Sequence, residues 1–176
     1  MLKNKNLGKI HVYTGDGKGK TTAAFGLAIR ALGAGYKVHI VQFLKAQDYS
    51  ELVTLQSLVG LELKRFGQKS FIRNYQGNDD DSAQAQAAFT WAKKAVNSAK
   101  YDLVILDEIF LAVFFKLIDE QDLTELISHK PNNVELILTG RRAGQKIIDL
   151  ADYVTEMKEI KHPYQQGLLA RKGIED

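Results

Sequence analysis

Apolar positions along the chain fall into two rhythms, short unbroken runs and longer stretches at helical spacing. Lys9 to Thr14 is β-branched and apolar, and it reads as a first strand. Val38 to Leu44, Leu103 to Glu108 and Val134 to Thr139 are nearly continuous apolar runs, as strands buried on both faces require. Leu61 to Phe66 alternates like a short edge strand, and Tyr153 to Met157 reads as a last short one. Between the strands, Ala23 to Leu32, Glu51 to Val59, Asp79 to about Ala99, Ile109 to Leu117, Asp119 to Ser128 and Gln145 to Ala151 read as helices. Acids and a cap at Asp79-Asp80-Asp81-Ser82 open the longest of them. Gly67 to Gly77 has no period and reads as a loop, and the tail from Lys158 is polar and mixed. Strands alternating with helices predict a single α/β domain over residues 1–176, with a doubly wound, mostly parallel sheet flanked by helices. Such a sheet places ligands at the carboxyl ends of its strands.

Composition narrows the function. With 45% apolar and 26% charged residues, the 176-residue chain has the make-up of a globular domain with a real core. Against 21 acidic residues, 24 basic ones leave only +3, so no nucleic-acid footprint shows. The absence of cysteine excludes disulfides, thiolate metal sites and a thiol nucleophile. Met1 to Asn6 is charged without an apolar run, and no stretch is long enough to span a bilayer, so a cytoplasmic enzyme or ATPase is expected.

The candidate chemistry begins with Thr14-Gly15-Asp16-Gly17-Lys18-Gly19-Lys20-Thr21-Thr22, placed between the first strand and the first helix. Strand, glycine-rich turn and helix make the context of a phosphate-binding loop, whose backbone N–H groups turn inward on an anion. The following helix directs its positive end to the same place. Lys20 is expected to neutralise phosphate oxygens, and the Thr21 hydroxyl to ligate Mg2+. The general pattern has glycine where this chain has Thr14. Asp107 and Glu108 end an apolar strand, where such folds hold a carboxylate that orients Mg2+; the alternative is two acids capping the next helix. Arg141, after another strand, either forks onto triphosphate oxygens or lies on a solvated turn. Lys45 is a further candidate phosphate contact. Phe71, Ile72, Arg73 and Tyr75 form either the underside of a lid, a substrate platform, or, for Phe71, a core anchor. His11 and His39 lie within strand patterns and read as structural, Phe89 and Trp91 as core residues of a long helix. The residues support a Mg-nucleotide-using domain without revealing which bond of ATP breaks.

Tyr13 to Gly26, Val41 to Lys45, Leu103 to Glu108, Leu138 to Arg141, Asp149 to Asp152 and the tail motifs Ile160 to Gly167 and Lys172 to Ile174 resemble the phosphate-loop ATP:cob(I)alamin adenosyltransferases. The likeness runs in order from about Gly8 to Ile174, and the threonine at the head of the loop is itself a trait of that family. It implies a P-loop NTPase-like (RecA-like) fold. It also implies a reaction in which the Co(I) of a reduced corrinoid attacks C5′ of ATP and expels triphosphate, with Mg2+ present and a flavin-type protein as a candidate reductant. A homodimer is expected. By the same resemblance Thr21 and Glu108 face the metal. Phe71 matches the first of two aromatics placed beneath the corrin, while Arg73 stands where enterobacterial relatives have tryptophan. Arg73 stacking on the corrin, Tyr75 taking the aromatic's place, or an incomplete corrinoid as substrate are the open options. The chain lacks the extended N-terminal segment of some relatives, which leaves open a difference in substrate access or dimer packing. Two other activities stay in play: an ATPase or kinase cleaving the terminal phosphate, and a module that binds ATP and corrinoid for delivery.

Overall fold

The computed structural model describes residues 6–45, 47, 50–68 and 77–175. Among the described residues, six strands form one sheet: β1 (Ile10–Thr14), β2 (Val38–Gln42), β3 (Leu61–Arg65), β4 (Leu103–Asp107), β5 (Glu135–Thr139) and β6 (Tyr153–Glu156). Their order is β3-β2-β4-β5-β1-β6, and every pairing is parallel. The chain is therefore α/β with a wholly parallel sheet, and the alternating segment Leu61 to Phe66 does lie at an edge. β5 inserts between β1 and β4, so the strand that feeds the glycine-rich turn and the strand that ends in carboxylates are next-but-one neighbours.

Helices cover both faces. Helix α1 (Lys20–Gly33) buries Ala24, Phe25, Ala28 and Ala31 against Val38, Ile40, Leu103, Ile105 and Ile137. On the other face α3 (Asp79–Asn97) presents Ala85, Ala88, Phe89, Ala92 and Val96 to Val41, Val104 and Leu106. The same side takes Ile109, Phe110 and Ala112 of α4 (Ile109–Phe114) and Leu123, Leu126 and Ile127 of α5 (Glu120–His129). Strands β2 and β4 are buried throughout, which their unbroken apolar runs foretell. α2 (Ser50–Leu55) and α6 (Gln145–Leu150) are single short turns of helix.

Several expected boundaries shift, each for a local reason. α2 stops short of Val59 because Ser57 Oγ bonds back to Thr54 O and Gly60 turns the chain at φ 88°. α4 stops before Leu117, where Lys116 takes a left-handed φ of 57° and Leu117 N–H returns to Ala112 O. The cap of α3 is Asn78, in a reciprocal capping box with Asp81, rather than Ser82. Trp91 is half-exposed instead of core: its Nε1–H reaches back 2.9 Å to His39 Nε2. Phe89 is buried as expected.

Candidate functional site

Register decides what meets at the carboxyl edge of the sheet. Tyr13 lies beside Thr139, Leu106 beside Leu138, and Gln42 beside Asp107. The residues that leave β1, β5, β4 and β2 are thus level. They bring the turn 14–22, Gly140–Arg141, Glu108 and Lys45 to one edge, and most of these line a cleft of about 920 Å³.

The turn is seated on the end of β6. Gly17 N–H donates to Met157 O at 2.6 Å, and Met157 N–H donates to Thr14 O at 2.8 Å. A Cβ on Gly15 would lie 2.5 Å from Met157 O and one on Gly17 2.6 Å from it, so the backbone approach itself demands glycine at both. Thr14 is buried, and its hydroxyl accepts from Ala143 N–H at 3.2 Å, fastening the arginine-bearing turn after β5 to the loop. That gives the threonine a physical role where the general pattern has glycine.

Lys20 opens α1 and is buried; its Nζ donates to Gly17 O at 2.7 Å, arching over the turn. Burial pushes the Lys20 ammonium below its usual range, with Glu108 opposing that effect. Asp16 and Lys18 are exposed on the loop, and Thr22 is exposed in the first turn of α1. Lys18 Nζ pairs with Glu175 of the tail at 3.1 Å, and Arg141 Nη1 lies 3.9 Å from Asp16 Oδ1.

Beneath the loop, Asp107 is fully buried and held from several sides. Its Oδ1 accepts from Thr21 Oγ1 at 2.8 Å and from Thr139 Oγ1 at 2.7 Å. Its Oδ2 accepts from Lys45 Nζ at 2.8 Å and Gln42 Nε2 at 3.1 Å. Burial alone would raise this carboxyl, but the Lys45 charge and these donors hold it below the carboxylate range. Glu108 behaves oppositely. It takes a left-handed φ of 62°, its N–H donates to Thr139 Oγ1 at 3.0 Å, and its Oε2 is buried with no hydrogen-bond partner among the described residues. Burial first, then the neighbouring Asp107 charge, push its carboxyl up. A strained backbone that aims an unsatisfied carboxylate into a cleft fits a site awaiting a positive ligand.

The structure thus gathers Asp16, Gly17, Lys18, Gly19, Lys20, Thr21, Thr22, Lys45, Glu108 and Arg141 around the cleft, with Thr14, Gly15 and Asp107 supporting it from below. Phe71, Arg73 and Tyr75 lie outside the described residues. Sequence reasoning missed three supports: Gln42 and Thr139, which hold Asp107, and the close seat at Met157. It also undervalued the tail, where Tyr164, Leu168, Leu169 and Ile174 form an apolar wall of the cleft beside Phe25 and Ile29.

The chain as a whole is similar to known proteins. A family profile described as ATP:corrinoid adenosyltransferase BtuR/CobO/CobP matches residues 6–175. A corrinoid adenosyltransferase of Escherichia coli strain K12 is 34% identical over 168 residues, covering 96% of this chain and 85% of the relative. One from Salmonella typhimurium is also 34% identical with the same coverage, and one from Sinorhizobium is 35% identical over 98% of this chain and 82% of its own length. Among solved structures, the cytoplasmic domain of EssC superposes with a TM-score of 0.53 at 18% identity; it covers 94% of this chain and only 34% of that one, a likeness of fold alone.

Proposed function

The chain belongs to the ATP:corrinoid adenosyltransferase family, and we propose that its glycine-rich turn grips the triphosphate of ATP while C5′ faces the corrinoid. The enzyme is a transferase that moves the 5′-deoxyadenosyl group of ATP to the cobalt of a reduced corrinoid. As the Co(I) electron pair forms the Co–C5′ bond, the C5′–O5′ bond breaks and triphosphate departs with the charge. The observation that supports this placement most is the convergence of Lys20, Thr21, Glu108 and Arg141 on one cleft above a buried, fully bonded Asp107.

In this reading the loop amides and Lys20 take up the negative charge that develops on the leaving group. Lys18 and Arg141, both at the cleft, add long-range attraction and a fork for phosphate oxygens. Because the cobalt is itself the nucleophile, no side chain is activated, and the chain's contribution is to position and to stabilise charge. The donor set also fits Mg2+. Thr21 Oγ1, Asp107 and the partnerless Glu108 Oε2 are all hard oxygens. Among the described residues no three His, Asp or Glu side chains form a metal cage. Mg2+ needs none, since one or two carboxylates and the substrate's phosphates suffice. Bound there, the ion would supply further neutralisation of the triphosphate.

Phe71, Arg73 and Tyr75, which lie outside the described residues, are assigned to the corrinoid, and Tyr164, Leu168, Leu169 and Ile174 give the cleft an apolar wall. The reading also includes a reduced flavoprotein as electron donor, a cytoplasmic setting and a homodimer. No helix among the described residues is long and apolar enough to cross a membrane. The test is anaerobic incubation with ATP and a chemically reduced corrinoid, followed by phosphorus NMR. Triphosphate appearing in step with the adenosylated corrinoid is expected, and inorganic phosphate or diphosphate as the primary product would refute the assignment.

A further inference from the structure

Lys45 follows β2 through Leu44, whose left-handed φ of 57° turns the chain at the cleft floor. Its Nζ lies 2.8 Å from Asp107 Oδ2 and 3.2 Å from Thr21 Oγ1. The Thr21 hydroxyl is thereby fixed in both senses: it donates its proton to Asp107 Oδ1 at 2.8 Å and receives a cation on its lone-pair side. A threonine that ligates Mg2+ offers one of its two lone pairs with its proton turned away, and here the Lys45 ammonium stands on that acceptor side. Thr21 and Asp107 are therefore already oriented to suit a cation, with the Lys45 ammonium as the cation they hold.

We propose that Lys45 is a built-in occupant of the cation's place, holding Thr21 and Asp107 ready and yielding when a metal nucleotide enters. This rests on the reading of the cleft as a metal-nucleotide site. Two physical features support the exchange. An ammonium on a four-carbon stem is a compact, movable charge. Lys45 also lines the cleft, so arriving phosphates offer it a new anionic partner within reach. A divalent ion arriving alone has no such compensation, because it must displace a charge that already neutralises the fully buried Asp107. The consequence is an order of binding: the ion enters with its nucleotide and binds weakly without it.

Mn2+ binding, followed by the electron paramagnetic resonance signal of the free ion, tests this with the full chain and no corrinoid. Without nucleotide the wild type is expected to bind Mn2+ weakly, and Lys45→Met about 10- to 100-fold more tightly, the range over which neighbouring groups tune metal affinity. Adding Thr21→Val to Lys45→Met is expected to abolish that gain, which locates the ion. Lys45→Gln, which keeps a donor for Asp107, carries the same expectation should Lys45→Met fail to fold. Equal or weaker Mn2+ binding by the folded Lys45 variants would overturn the role of Lys45. With ATP, which itself silences the free-ion signal, equilibrium dialysis is the readout: no Mn2+ retained by the wild type would instead overturn the metal-nucleotide reading, and the inference with it.

Discussion

Glu108→Gln separates stability from function at the site. In the nucleotide-free protein the Glu108 carboxylate is held on a left-handed residue beside Asp107, with Oε2 buried and partnerless. A buried acceptor without a partner costs roughly 1–3 kcal/mol. Its folded pKa lies above the unfolded value, so the protonated form is favoured in the fold and stability is lost as pH rises through the window from the ordinary carboxyl value upward. Glutamine cannot ionise, so that loss disappears; its amide still needs partners, which trims the gain to about 1 kcal/mol. For a chain of this size that is a rise of about 2–4 °C in melting temperature at neutral pH. Saturating MgATP should reverse the ranking. Ligand at about 100 times its Kd stabilises the wild type by roughly 2.7 kcal/mol, and a variant that binds the metal nucleotide poorly gains far less. A weakened hold on the cation that neutralises the departing triphosphate lowers kcat about 100- to 1,000-fold, the range for removing one preorganised stabilising group. Calorimetry with and without MgATP, together with an anaerobic adenosylation assay, reads all three. A Gln variant that melts no higher than wild type alone, and gains the same shift with MgATP, would refute the reasoning.

Lys20→Ala should remove ATP turnover, by at least about 100-fold, while leaving the circular dichroism spectrum unchanged; turnover near wild type would exclude the loop from the chemistry. Gly17→Ala forces a Cβ to within 2.6 Å of Met157 O and should cost about 1–3 kcal/mol of stability and weaken nucleotide binding, which denaturant melts and ATP titration measure. His39 supplies a pH dependence far from the cleft. Its ring is almost wholly buried and accepts from Trp91, and burial lowers its pKa from 6.5 to about 4. The folded value is depressed, so the unfolded chain takes up the proton first, and stability present above pH 6.5 is lost as pH falls toward 4. The loss amounts to at most roughly 3 kcal/mol. Urea melts at several pH values should show a shallower acid loss in His39→Gln than in the wild type, and parallel curves would contradict the assignment.

The elements were legible because their signals are local. Short unbroken β-branched and leucine runs such as Leu103 to Leu106, bounded by polar residues, fit strands covered on both faces, and the glycines of the loop announce a turn whatever surrounds it. Lys20, Thr21 and Asp107 were legible because strand ends and helix starts converge in any sheet of this kind. The supports were not, because they depend on strand order. Thr139 reaches Asp107 only because β5 separates β4 from β1, and Met157 meets Gly15 and Gly17 only because β6 adds beside β1. The helix end at Phe114 depends on one left-handed residue just beyond it, Lys116, whose conformation has no composition signal, and the end at Leu55 on the Ser57–Thr54 bond and the later turn at Gly60. The tail's apolar residues are too scattered for a period, yet they wall the cleft together with Phe25 and Ile29 of α1.

The account stands most directly on where the nucleotide lies, and a crystal structure of the MgATP complex measures it. The expected result is a triphosphate about 3 Å from the backbone N–H groups between Gly15 and Thr22, with the ion on Thr21 Oγ1 and Glu108 and with C5′ turned to the open side of the cleft. A vacant turn at the end of β1, with the nucleotide seated elsewhere on the protein, would contradict it.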